Sequence, residues 1–118
     1  MRPLCWGVLA LLACTPSEAR KTEAARDTVR RFFAALPSRD CAVLAPTLVG
    51  PAAADCPKML KDLNAHGLTL VEVVDATVDG RDPDAVLVRV RVARDGRGGE
   101  QTLLLRVERH PAGWKLRL

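Results

Sequence analysis

The hydrophobic pattern of the chain changes its period once, near the middle. From Ala25 to Leu36, apolar residues recur every three or four positions, the repeat of a helix buried along one side. From Leu68 onward, apolar and polar positions alternate, as in strands with one buried face. This order predicts an α+β domain in which N-terminal helices pack on a sheet.

The predicted first helix has an apolar stripe, with charged side chains on the opposite face, and Pro37 ends it. Stripes bordered by cations also occur on helices that lie on membrane surfaces. Two Phe residues on the stripe favour a helix that covers a domain core instead. The stripe consists of Ala25, Val29, Phe32, Phe33 and Leu36.

Two shorter helices are predicted before the sheet. Ser38 or Asp40 can cap the first, which Pro46 curtails. Asp55 caps the second, and Gly67 ends it. Both are too short to be stable without tertiary contacts.

The second half of the chain predicts four antiparallel strands joined by turns rich in Gly and Pro. Leu68 to Val78 loses strict alternation near Glu72, which indicates a β-bulge. The other three strands cover residues 86–93, 103–108 and 114–118. The expected sheet is a curved antiparallel meander whose apolar face the helices cover.

The N-terminus predicts an export leader. A basic start at Arg2 precedes an apolar run over residues 4–13. A run of about ten residues suits a leader, because a membrane-spanning helix needs about 20. The charged residues that follow cannot extend the run into a span.

Leu11-Leu12-Ala13-Cys14 resembles the lipobox of bacterial lipoproteins. The resemblance implies cleavage before Cys14, a diacylglyceryl group on its thiol, and acylation of the new amino group, for instance by palmitate. Several acyl chains on one residue anchor a protein stably to a membrane. The predicted organisation is a signal peptide over residues 1–13, a short lipidated tether over 14–18, and a folded domain over 19–118.

An alternative is cleavage by ordinary signal peptidase after Ser17-Glu18-Ala19, which would release a soluble secreted protein beginning at Arg20. The lipoprotein interpretation places the protein in the bacterial cell envelope. Thr15 follows the cysteine, at the position where an Asp signals retention in the inner membrane of some Gram-negative bacteria. In a Gram-negative source, the absence of that Asp favours the periplasmic face of the outer membrane.

Two cysteines remain once Cys5 is removed with the leader and Cys14 is lipidated. Cys41 and Cys56 then form an even pair in an oxidising compartment, which predicts a disulfide. The bond would close a loop of about 15 residues and contribute roughly 3 kcal/mol. Metal binding and thiol catalysis are the alternatives, but the ligand and C-x-x-C spacings they need are absent. We therefore expect no metal and no cofactor.

Three segments resemble the nuclear transport factor 2-like superfamily. They are Val29-Arg-Arg-Phe-Phe-Ala-Ala-Leu, Asp40-Cys-Ala-Val-Leu and the closing Gly113-Trp-Lys-Leu. The resemblance implies a cystatin-like cone, in which a curved sheet wraps a long N-terminal helix. It also implies functions ranging from isomerases and dehydratases to non-catalytic binding domains.

The residues do not favour a cone-pocket isomerase or dehydratase. Ketosteroid isomerases pair a carboxylate base with phenolic or protonated-acid donors, and this chain contains no Tyr. Asp75 and Asp79 could face into the cone, or they could be strand-end and turn residues. His66 and His110 have no companion at base–nucleophile spacing. We expect a non-catalytic binding or interaction module, with a soluble small-molecule-binding protein as an alternative.

The net charge of +4 is a mild excess, and the aromatic content of 3% gives no stacking platform for nucleic acid. The outward face of the predicted sheet is a candidate basic surface for anionic lipid or an envelope polymer, although a solvated charged face explains it too. Leu87 and Leu104 on that face favour pairing with a second copy. The basic residues are Arg89, Arg91, Arg106, Lys115 and Arg117.

Overall fold

The computed structural model describes residues 14–63, 67–94 and 99–118. The predicted leader and His66 lie outside these ranges. The helices are α1 (Cys14–Ala35), α2 (Cys41–Leu44), α3 (Pro51–Ala54) and α4 (Cys56–Asp62), with 3₁₀ turns at Leu36–Ser38 and Ala45–Thr47. The strands are β1 (Leu48–Val49), β2 (Leu68–Val78), β3 (Ala85–Arg94), β4 (Glu100–His110) and β5 (Gly113–Arg117).

The described strands form one mixed sheet in the order β1-β5-β4-β3-β2. The α+β class is confirmed, but the prediction of four antiparallel strands is wrong. A fifth strand, β1, pairs in parallel with β5 through Leu48 opposite Leu116. The hydrophobic pattern did not predict this strand, because its two residues, Leu48 and Val49, are too few to show alternation.

Strand β2 forms the long edge of the sheet and contains irregularities in its pairing with β3. The register shifts between Leu70 and Glu72 and again between Val73 and Asp75, which confirms the bulge predicted near Glu72. Val71, which falls within the first shift, is 41% exposed. Bulges of this kind disturb the regular ladder of an edge strand and hinder pairing with another chain.

Helix α1 covers the inner face of the sheet, and the predicted apolar stripe is the buried one. Phe32 is fully buried and meets the Phe33 ring edge-on, with the ring centroids 5.3 Å apart. Opposite the helix, four valines of β3 have no exposed surface. Aliphatic and Phe side chains therefore fill the space between helix and sheet. The β3 valines are Val86, Val88, Val90 and Val92.

The described part of the helix extends back to Cys14, well before its apolar stripe. Residues 17–20 are exposed, and from Ser17 onward Ala25 is the first buried position. At about 1.5 Å per residue, Ala25 lies roughly 16 Å along the helix from Cys14. The segment predicted as a tether is thus continuous with α1. In the described residues, no helix combines the length and apolar character needed to cross a membrane.

A disulfide joins Cys41 to Cys56, as predicted. It ties the first residue of α2 to the first residue of α4. Each helix is capped by the preceding Asp: Asp40 Oδ1 accepts a hydrogen bond from Ala42 N at 2.9 Å, and Asp55 Oδ1 accepts one from Lys58 N at 3.2 Å. The Asp caps and the disulfide together stabilise two helices that are too short to form alone.

Candidate functional site

The predicted basic residues of β3 lie on the outer sheet face, which is the face turned away from α1. Arg89 Nη2 lies 3.6 Å from Asp75 Oδ2, and Arg91 Nη2 lies 2.6 Å from Glu72 Oε1. Both carboxylates belong to β2, and Arg91 also lies 3.5 Å from Glu100 of β4. These arginines therefore make cross-strand ion pairs.

Glu108 is the centre of a second group of ion pairs on the outer sheet face. Arg117 donates to both of its carboxylate oxygens, at 2.8 and 3.0 Å, and Arg106 Nε donates at 2.8 Å. His110 Nε2 lies 3.2 Å from the same carboxylate. The hydrogen bonds from Arg117, and to a smaller extent those from Arg106 and His110, lower the pKa of Glu108 to about 2 against the opposing effect of burial. Glu108 is therefore ionised far into the acid range.

Arg106 also connects β4 to the turn between β2 and β3. Its guanidinium donates to Asp79 Oδ2 at 2.7 Å and to Asp82 Oδ2 at 3.0 Å. The backbone N–H of Arg81, followed by Arg106, lowers the pKa of Asp79. Asp79 is thus a turn residue, one of the two roles that the sequence left open.

The structure also decides the position of Asp75. Both candidate carboxylates, Asp75 and Asp79, are engaged with arginines rather than directed into the inner face. Four of the five predicted basic residues likewise have carboxylate partners. The outer sheet face consequently carries a lattice of mixed charge. The sequence pattern did not predict these ion pairs. The bulges of β2 shift its register against β3, so the sequence alone does not show which acidic residues lie opposite the arginines.

Lys115 differs from the four arginines. Its ammonium donates to the backbone carbonyl of Pro46, and its side chain borders a groove between α1 and the β4–β5 hairpin. We call this the distal groove; it has a volume of about 360 Å³ and includes Thr28, Arg31, Pro46, Trp114 and Lys115 in its lining.

A second groove lies on the same side of α1, nearer to Cys14. This proximal groove has a volume of about 330 Å³ and is bordered by Ser17, Arg20, Lys21, Ala24, Arg109 and Trp114. The Arg109 guanidinium carbon lies 5.8 Å from the centre of the Trp114 ring, in cation–π range. Trp114 lines both grooves and is their common element.

The cations of the two grooves are largely uncompensated. Arg109 is paired with Asp84. Lys21 Nζ donates to the carbonyl of Pro83 at 2.8 Å, and Arg31 Nε lies 3.4 Å from the carbonyl of Asp27. Within the part of the chain that the structure describes, no carboxylate pairs with Arg20, Lys21, Arg31 or Lys115.

A third groove, of about 280 Å³, borders α3 and α4 and includes Asp55, Lys58, Met59 and Asp62 in its lining. Its charges are of both signs, and Lys58 pairs with Asp62 at 2.6 Å. Across residues 14–63, 67–94 and 99–118, no group of three or more His, Cys, Asp or Glu side chains is placed to hold a metal ion. The two grooves beside Trp114 are therefore the more distinctive candidate site.

No protein-family model, curated protein or solved structure matches the chain. The geometry of the residues is consequently the basis for assigning a role. Two features stand out: a sheet face of compensated charge, and two basic grooves that share one indole.

Proposed function

We propose that this protein is a lipid-anchored component of the bacterial cell envelope that acts as a non-catalytic binding or interaction module. The observation that carries the proposal is the lipobox-like Leu11-Leu12-Ala13-Cys14. Helix α1 includes Cys14 and continues into the core. Acyl chains on Cys14 would therefore hold the folded domain close to the membrane, at the periplasmic face of the outer membrane in a Gram-negative cell.

A non-catalytic role is supported by the interior of the domain. The inner sheet face is occupied by side chains such as Phe32, Val88 and Val90, each fully buried. Asp75 and Asp79, the carboxylates considered as bases, are held in ion pairs with Arg89 and Arg106. The charged groups available to a ligand are on the surface, as expected of a module that binds rather than transforms its partner.

The finer fold belongs to the same proposal. We infer a cystatin-like cone of the nuclear transport factor 2-like kind, because one long helix covers the inner face of a sheet whose edge strand is bulged. Bulges increase twist and bend a strand, as wrapping around a helix requires. A crystal structure with the sheet curved around α1 would support the cone, whereas a flat sheet would contradict it.

Mass spectrometry of protein purified from its native host tests the anchor. We expect a mature chain that begins with an acylated Cys14 and is recovered with the membrane fraction. Cys14→Ser is the control, and it should abolish both acylation and cleavage before residue 14. An unmodified N-terminus at Arg20 in the soluble fraction would instead establish the secreted alternative.

A homodimer through the outer sheet face is a second candidate. Leu104 is 64% exposed on that face and lies opposite Arg89 of β3, and the face carries charges of both signs in ion pairs. Such a surface is able to complement its own copy across a two-fold axis. Sedimentation equilibrium should show a dimer that Leu104→Glu converts to a monomer; a monomeric wild-type protein would exclude this candidate.

A further inference from the structure

We propose that the proximal and distal grooves form a docking surface for the anionic headgroups of the membrane that holds Cys14, so that α1 lies along the bilayer. This inference rests on the proposed lipid anchor. It names the partner of the two grooves as an anionic phospholipid surface.

The first argument is the distribution of charge. The arginines Arg89, Arg91, Arg106 and Arg117 of the outer sheet face are paired with carboxylates. Those pairs leave little attraction for an anion. In the grooves, by contrast, four cations lack a carboxylate partner within the described ranges, and neither groove has an acidic residue in its lining. A phosphodiester surface complements such a site.

The second argument is the alignment of the groove residues along α1. Ser17, Lys21, Ala24, Thr28 and Arg31 contribute to the grooves at intervals of three or four residues, so they share one side of the helix. This side runs in line with Cys14. When α1 lies parallel to the membrane with that side down, both grooves face the headgroups.

The third argument is distance. Lys21 follows Cys14 by seven residues, which is about 10 Å along a helix. Surface potentials of anionic membranes act over about a Debye length, roughly 8 Å at physiological salt. With α1 upright, the proximal groove would lie slightly more than one Debye length from the anchor; with α1 along the bilayer, that separation runs parallel to the membrane and the groove lies closer to the headgroups. A free polyanion has no such positional advantage.

The fourth argument is Trp114, which is half-buried and lines both grooves. An indole combines an apolar body with an N–H donor and is favoured at membrane–water interfaces. Of the two tryptophans in the chain, Trp6 lies in the predicted leader. In the mature protein, Trp114 would thus be the sole Trp and a direct optical probe of docking.

The test uses the acylated mature protein, purified from its host and reconstituted into vesicles. One set is phosphatidylcholine and the other contains added phosphatidylglycerol; both carry the same trace of phosphatidylcholine with a nitroxide on its headgroup. Because the anchor is present in both sets, a difference in the quenching of Trp114 reports headgroup contact alone. We expect stronger quenching in the anionic vesicles, and loss of that difference at high salt.

Two double variants and a matched control assign the contact. Removing a cation near an anionic surface should lower the ratio of docked to undocked protein about fivefold. Arg20→Gln with Lys21→Gln, and Arg31→Gln with Lys115→Gln, should each lower it about 25-fold by the same relation. Arg89→Gln with Arg91→Gln removes the same charge from the outer sheet face and should leave quenching unchanged.

Each other outcome overturns the inference. Equal quenching in both vesicle sets excludes docking on anionic headgroups. An effect confined to Arg20 and Lys21 excludes the flat orientation of α1. A Trp114 shift on adding heparin to phosphatidylcholine vesicles, with no response to phosphatidylglycerol, points to a soluble polyanion instead. Mass spectrometry of the same samples shows separately whether Cys14 is acylated, so failure of the anchor is distinguishable from failure of docking.

Discussion

At the scale of single residues, Glu108 is the carboxylate on which several ion pairs of the outer sheet face converge. Its carboxylate accepts from Arg106 and Arg117, and its side chain is only 15% exposed. Glu108→Gln removes the charge while preserving the shape, and it leaves Arg117 without an anionic partner. We expect a loss of about 1–2 kcal/mol in the free energy of unfolding, measured by urea denaturation.

Glu100→Gln is the matched control for that substitution. Glu100 is 46% exposed and lies 3.5 Å from Arg91, so its pair is screened by solvent and should contribute less than about 0.5 kcal/mol. If the two Gln variants have the same free energy of unfolding, the ion pairs that converge on Glu108 do not stabilise the fold more than an exposed pair does. The comparison needs no assumption about function.

Local patterns predict residues well where the cause is local. The stripe from Ala25 to Leu36 and the cap at Asp40 follow from helix periodicity and backbone hydrogen bonding, and both are confirmed. Glu108 could not be singled out in this way. Its partners come from a neighbouring strand and from its own, and they depend on the strand register.

At the scale of elements, the disulfide joins α2 to α4. These helices have 4 and 7 residues, whereas an isolated helix needs about 12–15 to be even marginally stable. Cys41 and Cys56 are 15 residues apart. In the chain-entropy model, closing such a loop stabilises the fold by about 3 kcal/mol.

Reduction of the disulfide should therefore lower the free energy of unfolding by about 3 kcal/mol, as followed by urea denaturation with and without dithiothreitol. The double variant Cys41→Ser with Cys56→Ser should show the same loss, and the reductant should not affect it further. Unchanged stability after verified reduction would mean that the caps and core contacts hold α2 and α4 by themselves.

Hydrophobic periodicity does not predict every element of the fold. Strand β1 has two residues and pairs with β5, far along the chain, so no local signal marks it. The part of α1 that precedes its apolar stripe could, however, have been predicted from helix propensity. Residues 18–25 are rich in Ala, Glu, Lys and Arg, which are strong helix formers.

At the scale of the whole molecule, the candidate site depends on how elements pack. Lys115 was predicted as a surface cation, but its groove also needs Arg31 of α1, and the proximal groove combines Arg20 and Lys21 with Arg109. The angle of α1 against the β4–β5 hairpin decides which cations meet around Trp114. A hydrophobic pattern predicts that the helix covers the sheet, but not that angle.

The compensated charges of the outer sheet face also predict how stability responds to pH. Glu108 has a pKa of about 2 in the folded protein against an ordinary value of 4.5, and the pKa of Asp79 is lowered as well. A carboxyl with a depressed folded pKa binds protons less readily than in the unfolded chain. Its stabilisation is therefore complete above pH 4.5 and is lost as pH falls toward 2.

Urea midpoints measured from neutral pH downward should accordingly change little until about pH 5 and then fall steeply toward pH 2. Glu108→Gln should flatten that fall, because it removes a carboxyl whose pKa is lowered to about 2. Glu100→Gln should retain the wild-type slope. A midpoint that rises on acidification would contradict this prediction, because it would mean that the folded protein binds protons more readily than the unfolded chain.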